Sequence, residues 1–318
     1  MPETQTPDIL PDARPDNWVD RFAPEGLRPW LRLGRFDRPA GIWLLMLPGW
    51  QGAALAAALA GTWPDFLLLA KILAGAALMR AAGCAYNDIV DRDLDARVAR
   101  TAGRPVASGR LSVRQAWAFV IACSLAGAAI LFTLPPLAIG LGVASLVLVA
   151  AYPFMKRITW WPQAWLGLTF NWGALLGFAA ATGELGLPAL LLYLGGVFWT
   201  LGYDTIYAVQ DMEDDALAGI RSSARRLGRT APRAVLGFYV LAFLLALACA
   251  FTARLGPLFL PLAAGYGLHL SRQAAQLDMD DPAGALALFR SNALAGLILF
   301  TALVAGRFGQ GLWGGGGL

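Results

Sequence analysis

The chain has 318 residues, 58% of them apolar and 14% charged, with 36 glycines and 19 prolines. Soluble domains are nearer half apolar and a quarter charged, so this balance excludes an ordinary water-soluble enzyme and points to a bilayer as solvent. The net charge of +4, from 25 Lys and Arg against 21 Asp and Glu, is too small for a nucleic-acid-binding protein.

The first 40 residues carry seven acids, which argues against an acid-poor import presequence or a secretory signal. Residues 1–38 read as a short cytoplasmic arm. Within it, segment 27–40 sets Leu27, Trp30, Leu31 and Leu33 beside Arg28, Arg32 and Arg35, the pattern of an interfacial amphipathic helix.

Beyond Arg38, ionisable residues vanish over long intervals, and about 20 apolar residues cross a bilayer core as a helix. Nine transmembrane helices are predicted at 41–62, 66–87, 114–133, 137–154, 163–182, 187–208, 233–253, 256–272 and 290–307. The third and fourth share one uncharged interval, divided at Pro135-Pro136. The expected fold is an all-α integral membrane bundle over residues 39–308, followed by a Gly-rich tail at 309–318 that holds the run Gly314–Gly317.

Of the 25 Lys and Arg, 21 fall in the N-terminal arm and the even-numbered loops. The positive-inside rule then puts the N-terminus and those loops in the cytoplasm, with a bacterial inner membrane as the expected location. Lys71 reads as a snorkelling residue near the opposite surface. Cys84, Cys123 and Cys249 have no metal-like spacing and read as small apolar fillers; His269, the single histidine, reads as a packing residue.

Two even-numbered loops hold acids as well as arginines. The first stretch is Asn87-Asp88-Ile89-Val90-Asp91-Arg92-Asp93-Leu94-Asp95, at the end of helix 2. A helix continued through it places Asn87, Asp88, Asp91 and Asp95 on one face. The second leaves helix 6 with Asp204, Tyr207, Asp211 and Asp215 at i, i+3, i+7 and i+11, with Asp214 beside them.

Carboxylates on one face repel one another unless cations neutralise them. Oxygen donors without His or Cys suit Mg²⁺, which uses one or two carboxylates and completes its octahedron with water and phosphate. Two such helices facing each other would hold a metal-bridged diphosphate, with the following basic loops binding the remaining oxygens. The plainer alternative is a pair of solvated loops whose acids balance neighbouring arginines. Both stretches share the order helix, acids, basic loop, helix, which reads as an internal repeat.

Asn87-Asp88-x-x-Asp91-x-Asp93-x-Asp95, continued by Arg100-Thr101-x-x-Arg104-Pro105-x-x-Ser108-Gly109, resembles the first signature of the intramembrane aromatic prenyltransferases, the UbiA superfamily. Tyr203-Asp204-Thr205-x-Tyr207-Ala208-x-x-Asp211-x-x-Asp214-Asp215 resembles the second. Further matches are Arg38-Pro39-x-Gly41, Met79-Arg80-Ala81-Ala82-Gly83-Cys84 and Tyr152-Pro153-Phe154-Met155-Lys156-Arg157. Within that superfamily the pattern is most similar to the branch that acts on 4-hydroxybenzoate in ubiquinone biosynthesis.

The resemblance implies transfer of a polyprenyl group from polyprenyl diphosphate to the ring carbon ortho to the phenol of 4-hydroxybenzoate. It implies Asn87, Asp91, Asp95, Asp211 and Asp215 as Mg²⁺ and diphosphate ligands, with Asp88 and Asp214 as supporting acids. Arg38, Arg104, Tyr152 and Lys156 are candidate diphosphate clamps; Lys156 and Arg157 also read simply as topology determinants. Candidate catalytic residues are Asp204, placed to accept the phenol hydrogen bond, together with Tyr207 and Arg80. Arg80 either pairs with an inward Asp or meets the benzoate carboxylate, with Arg157 as the rival for that carboxylate. Expected partners are the two substrates and the bilayer, with no nucleic acid. Rival readings are a related prenyltransferase with another aromatic acceptor and a secondary transporter.

Overall fold

A computed structural model describes residues 17–98, 101–217 and 219–309. Arg100 of the first signature, residues 1–16 of the arm and the tail run Gly314–Gly317 lie outside the described residues. The described chain is helical: α1 (Trp18–Phe22), α2 (Arg28–Leu33), α3 (Ala40–Leu59), α4 (Phe66–Val90), α5 (Arg92–Asp95), α6 (Val113–Leu131), α7 (Pro136–Ile158), α8 (Pro162–Thr182), α9 (Leu187–Tyr207), α10 (Met212–Leu217), α11 (Ser223–Leu227), α12 (Ala231–Thr252), α13 (Phe259–Gln276) and α14 (Pro282–Ala305). Tight 3₁₀ turns occupy Ala208–Asp211 and Gly228–Thr230.

Nine of these helices have 18 residues or more, and eight are long and apolar enough to span a bilayer. The remaining long helix is α13, whose second half carries His269, Ser271, Arg272 and Gln273. Large apolar side chains stand bare on the surface, among them Phe66, Val147 and Phe251, as expected where lipid replaces water. The three cysteines are buried and free.

Three expected boundaries move. The interval beginning at Arg290 omits the first eight residues of α14, which starts at Pro282: Asp281 Oδ1 accepts from Gly284 N–H, and the proline at N1 has no N–H to leave unsatisfied. Arg290 and Arg272 therefore sit within helices rather than in a loop. Segment 27–40 is not one amphipathic helix. Only α2 is helical there, and Leu33 is buried with Ala85, Val106 and Leu111 while Trp30 packs on Phe119.

The chain divides into two compact units, one comprising residues 1–42 and 74–130, the other 43–73 and 131–318. The first holds α1, α2, the second part of α4, α5 and α6 around two small apolar clusters. The second holds the large core of α8, α9, α12, α13 and α14. Small residues there allow close helix approach: a Cβ on Gly177 would strike the Gly49 carbonyl, so α3 and α8 pack backbone to backbone. Buried polar side chains bridge helices, with Trp199 Nε1 donating to Asn292 Oδ1 at 2.8 Å and Tyr239 Oη to Gln273 Oε1 at 2.7 Å. His269 belongs to this network, 3.1 Å from Gln273 Nε2.

Candidate active site

In the first unit, α4 ends at Val90 and Asp91 breaks the helical geometry with φ −95° and ψ 4°. Helical hydrogen bonding nevertheless runs through the break: Asp91 N–H reaches Asn87 O at 2.9 Å and Asp95 N–H reaches Asp91 O at 2.8 Å. Asn87, Asp91 and Asp95 stay stacked one turn apart, as the spacing predicts. Asp88, Asp91 and Asp95 are 1%, 0% and 5% exposed, whereas Asp93 points to solvent.

Burial of three neighbouring carboxylates demands counter-charge. Arg35 Nη2 lies 2.6 Å from Asp88 Oδ1, and Arg104 Nη1 lies 2.8 Å from Asp95 Oδ2 and 3.5 Å from Asp88 Oδ1. Burial raises the Asp95 carboxyl above its ordinary range against the pull of Arg104, and the nearby Asp88 and Asp91 add to the rise. Asp37, at the mouth of α3, is pushed up to about 6 by burial, which outweighs the attraction of Arg35. Arg38 Nε lies 3.4 Å from Asp37 Oδ1. Arg80 lays its guanidinium against Gly41, where any Cβ would collide with it.

In the second unit the stripe is less regular than expected. α9 carries Asp204 and Tyr207, but the chain then tightens into the 3₁₀ turn at Ala208–Asp211 before α10 resumes. Four residues at three per turn rotate Asp211 and Asp215 by about 80° relative to a continuous α-helix, so the four side chains do not share one face. Asp204, Asp211, Asp214 and Asp215 are partly exposed. Tyr207 packs against Phe289 in a tilted pair with ring centroids 4.6 Å apart.

The basic loop after this stretch is built on backbone. Arg225 Nη1 donates to the carbonyls of Asp215 and Ile220, closing a turn that Gly219 enters at φ +69°. Arg221 N–H meets Lys156 O at 3.0 Å and its Nη1 meets Ile158 O at 2.6 Å. Both guanidiniums stack on Trp160, at 5.9 Å for Arg221 and 5.6 Å for Arg225. Ser223 N–H donates to Gln163 Oε1, and its hydroxyl bonds Thr205 Oγ1 at 2.7 Å. This ties α11 to α8 and α9. On α7, Tyr152 packs against the large core, Lys156 is partly buried and Arg157 is exposed.

Among the described residues, no three His, Cys, Asp or Glu side chains converge as a ready-made metal cage. Stacked oxygen donors without nitrogen or sulfur fit instead a hard cation that uses one or two carboxylates and draws its remaining ligands from a phosphate.

The model of the UbiA prenyltransferase family matches residues 45–305. The chain belongs to that family. It is 45% identical over 291 residues to the mitochondrial 4-hydroxybenzoate polyprenyltransferase of Bos taurus, covering 91% of this chain and 78% of the relative. The human protein of the same name is 44% identical over 287 residues, covering 90% and 77%. A UbiA homolog from Aeropyrum pernix K1, solved in apo form, superposes with a TM-score of 0.70 at 28% identity over 82% of this chain and 96% of that one. An Archaeoglobus fulgidus UbiA homolog solved with GPP and Mg²⁺ shares the fold, with a TM-score of 0.65 at 18% identity over 87% and 99%. This UbiA-family chain is a multi-pass membrane transferase.

Arg35, Trp160, Gln163 and Ser223 lie outside the residues that the signatures single out. Arg35 reads in the sequence as one polar residue of segment 27–40, and its partner lies 53 residues away. Trp160, the first of the pair Trp160-Trp161, carries no periodic signal that marks it as a platform.

Proposed function

We propose that this UbiA-family protein is a 4-hydroxybenzoate polyprenyltransferase. It transfers a polyprenyl group from polyprenyl diphosphate to the ring carbon ortho to the phenol of 4-hydroxybenzoate. The reading rests above all on identity of about 45% across nine-tenths of the chain to enzymes of that name, and the stack of Asn87 with the buried Asp91 and Asp95 supports it.

In the reaction the allylic C–O bond breaks, diphosphate departs with the electron pair, a ring-carbon to prenyl-carbon bond forms, and the ring releases a proton. Bound Mg²⁺ supplies charge neutralisation for the leaving group. Asn87, Asp91 and Asp95 from one acid stretch, and Asp211 and Asp215 from the other, are its proposed ligands, supported by Asp88 and Asp214. Arg38, Arg104, Tyr152 and Lys156 are assigned to the diphosphate oxygens. Asp204 accepts the phenol hydrogen bond and raises electron density at the attacking carbon, with Tyr207 beside it on the same helix. Arg80, seated on Gly41, is assigned to the benzoate carboxylate, with Arg157 as the alternative.

The proposed setting is a bacterial inner membrane with the N-terminus and both acid stretches cytoplasmic. Residues 1–38 form the arm, 39–308 the membrane domain and 309–318 the tail. The placement of 21 of 25 Lys and Arg supports that orientation.

The test is product analysis by mass spectrometry, using purified protein in lipid, polyprenyl diphosphate and a panel of aromatic acids with and without Mg²⁺. Prenylated 4-hydroxybenzoate formed only with Mg²⁺ is the expected result. Preference for another acceptor would reassign the branch, and substrate counterflow without conversion would make the protein a transporter.

A further inference from the structure

Arg35 lies ahead of residues 45–305, which carry the family match, and none of the roles above uses it. Yet it is 8% exposed and holds a left-handed backbone, φ +61°, a conformation that side-chain-bearing residues adopt only when their surroundings enforce it. Its guanidinium is committed on two sides. Nη1 donates to Arg32 O at 3.1 Å and Nη2 to Asp88 Oδ1 at 2.6 Å. Arg32 in turn binds Asp20 at 2.8 Å, and Trp18 Nε1 donates to Phe36 O at 2.7 Å, so the loop carrying Arg35 is anchored on the α1–α2 hairpin.

Asp88 links this anchor to the acid stack. Its Oδ1 receives Arg35 at 2.6 Å and Arg104 at 3.5 Å, and its buried Oδ2 has no hydrogen-bond partner among the described residues. Arg104 also holds Asp95 Oδ2 at 2.8 Å. The four side chains form a chain of alternating charge, Arg35, Asp88, Arg104, Asp95. With Arg35 satisfying Asp88, Arg104 is left to Asp95. Without it, the buried Asp88 carboxylate would draw Arg104 about two turns back along the stack.

We infer that Arg35 is a positioning residue of the diphosphate and metal half-site on α4 and α5: by neutralising Asp88 it keeps Arg104 on Asp95, and so makes the segment before the first membrane helix part of the site. This rests on the proposed role of Asn87, Asp91 and Asp95. Partners that orient metal ligands from behind typically change metal affinity 10- to 100-fold when removed.

The experiment measures the thermal shift of full-length protein in detergent on titration with Mg²⁺ and inorganic diphosphate, which reports binding without turnover. KM values for both substrates are measured alongside. Arg35→Met is expected to weaken the Mg²⁺-diphosphate response by about 10- to 100-fold and raise KM for polyprenyl diphosphate, leaving KM for 4-hydroxybenzoate unchanged. Arg35→Lys, which keeps the charge but not the fork, falls between it and wild type.

Arg35→Lys carries the test if Arg35→Met does not fold. A wild-type response in Arg35→Met, an equal rise in KM for both substrates, or, where only Arg35→Lys folds, a wild-type response in it, would overturn the inference. Absence of any Mg²⁺-diphosphate shift in wild type would overturn both this inference and the metal reading. A normal shift with no turnover of 4-hydroxybenzoate would overturn only the acceptor.

Discussion

The two acid stretches share an order of residue types but not an electrostatic design. Along α4 and α5 the carboxylates of Asp88, Asp91 and Asp95 are buried, and arginines contact two of them directly, Arg35 on Asp88 and Arg104 on Asp95. After α9 the acids are partly exposed, and Arg221 and Arg225 spend hydrogen bonds on main-chain carbonyls while stacking on Trp160. The first stretch fixes its acids with charge; the second fixes the loop that follows its acids. Two stretches alike in residue order thus differ in setting, one buried and ion-paired, the other more open.

The largest expected effect tests what the halves still share. Asp91→Ala and Asp211→Ala should each lower turnover by about a hundredfold or more, the scale of losing one group that stabilises developing charge. Steady-state assays of folded protein check this. Near-wild-type turnover in only one variant would mean that only one half holds the leaving group.

Stability should separate the halves next. Asp88→Ala strands buried Arg35, and breaking a buried ion pair from one side costs about 3–5 kcal/mol. Asp214→Ala, at a partly exposed position, should cost under about 1 kcal/mol. Thermal melts in one detergent compare them, and equal losses would refute the contrast.

Much of this architecture is legible in residue order alone. Gaps between charges locate the long helices because a bilayer excludes ionised side chains from their middles. The same rule misplaces the start of α14, where capping by Asp281 and Pro282 outweighs the charge of Arg290. The stack of Asn87, Asp91 and Asp95 follows from helical spacing, and it survives a local break because the backbone bonds continue. The 3₁₀ turn at Ala208–Asp211 has no Gly or Pro to announce it, so the expected single face from Asp204 to Asp215 is lost. Pairing of Arg35 with Asp88 is a tertiary fact between distant residues, which no local period encodes.

Acid titration offers a further contrast. The Asp37 carboxyl is raised from 3.8 to about 6 by burial. The folded state thus binds more protons than the unfolded one between these values, and stability falls as pH rises through that window. Asp37→Asn should remove this slope and stabilise the protein at pH 7.5 by at most about 3 kcal/mol, the equivalent of a two-unit shift. Melting temperature measured from pH 4 to 7.5 in both proteins checks it. A variant that keeps the wild-type slope would assign the pH dependence to Asp95 or another group.

The smallest effect concerns the loop after the second stretch. Trp160 stacks beneath Arg221 and Arg225, and each such contact near a surface is worth about 0.5–1 kcal/mol. Their backbone hydrogen bonds remain when the ring is lost, so Trp160→Leu should leave the fold intact and raise KM for polyprenyl diphosphate by about threefold. Trp160→Phe, which keeps a weaker π-face, should lie between. The halves would then differ in degree, tenfold or more for a buried guanidinium and severalfold for a stacked one. A Trp160→Leu effect as large as that of Arg35→Met would mean that the second loop depends on its platform as strongly as the first depends on its ion pairs. That outcome would erase the distinction between a half-site held by charge and one held by backbone.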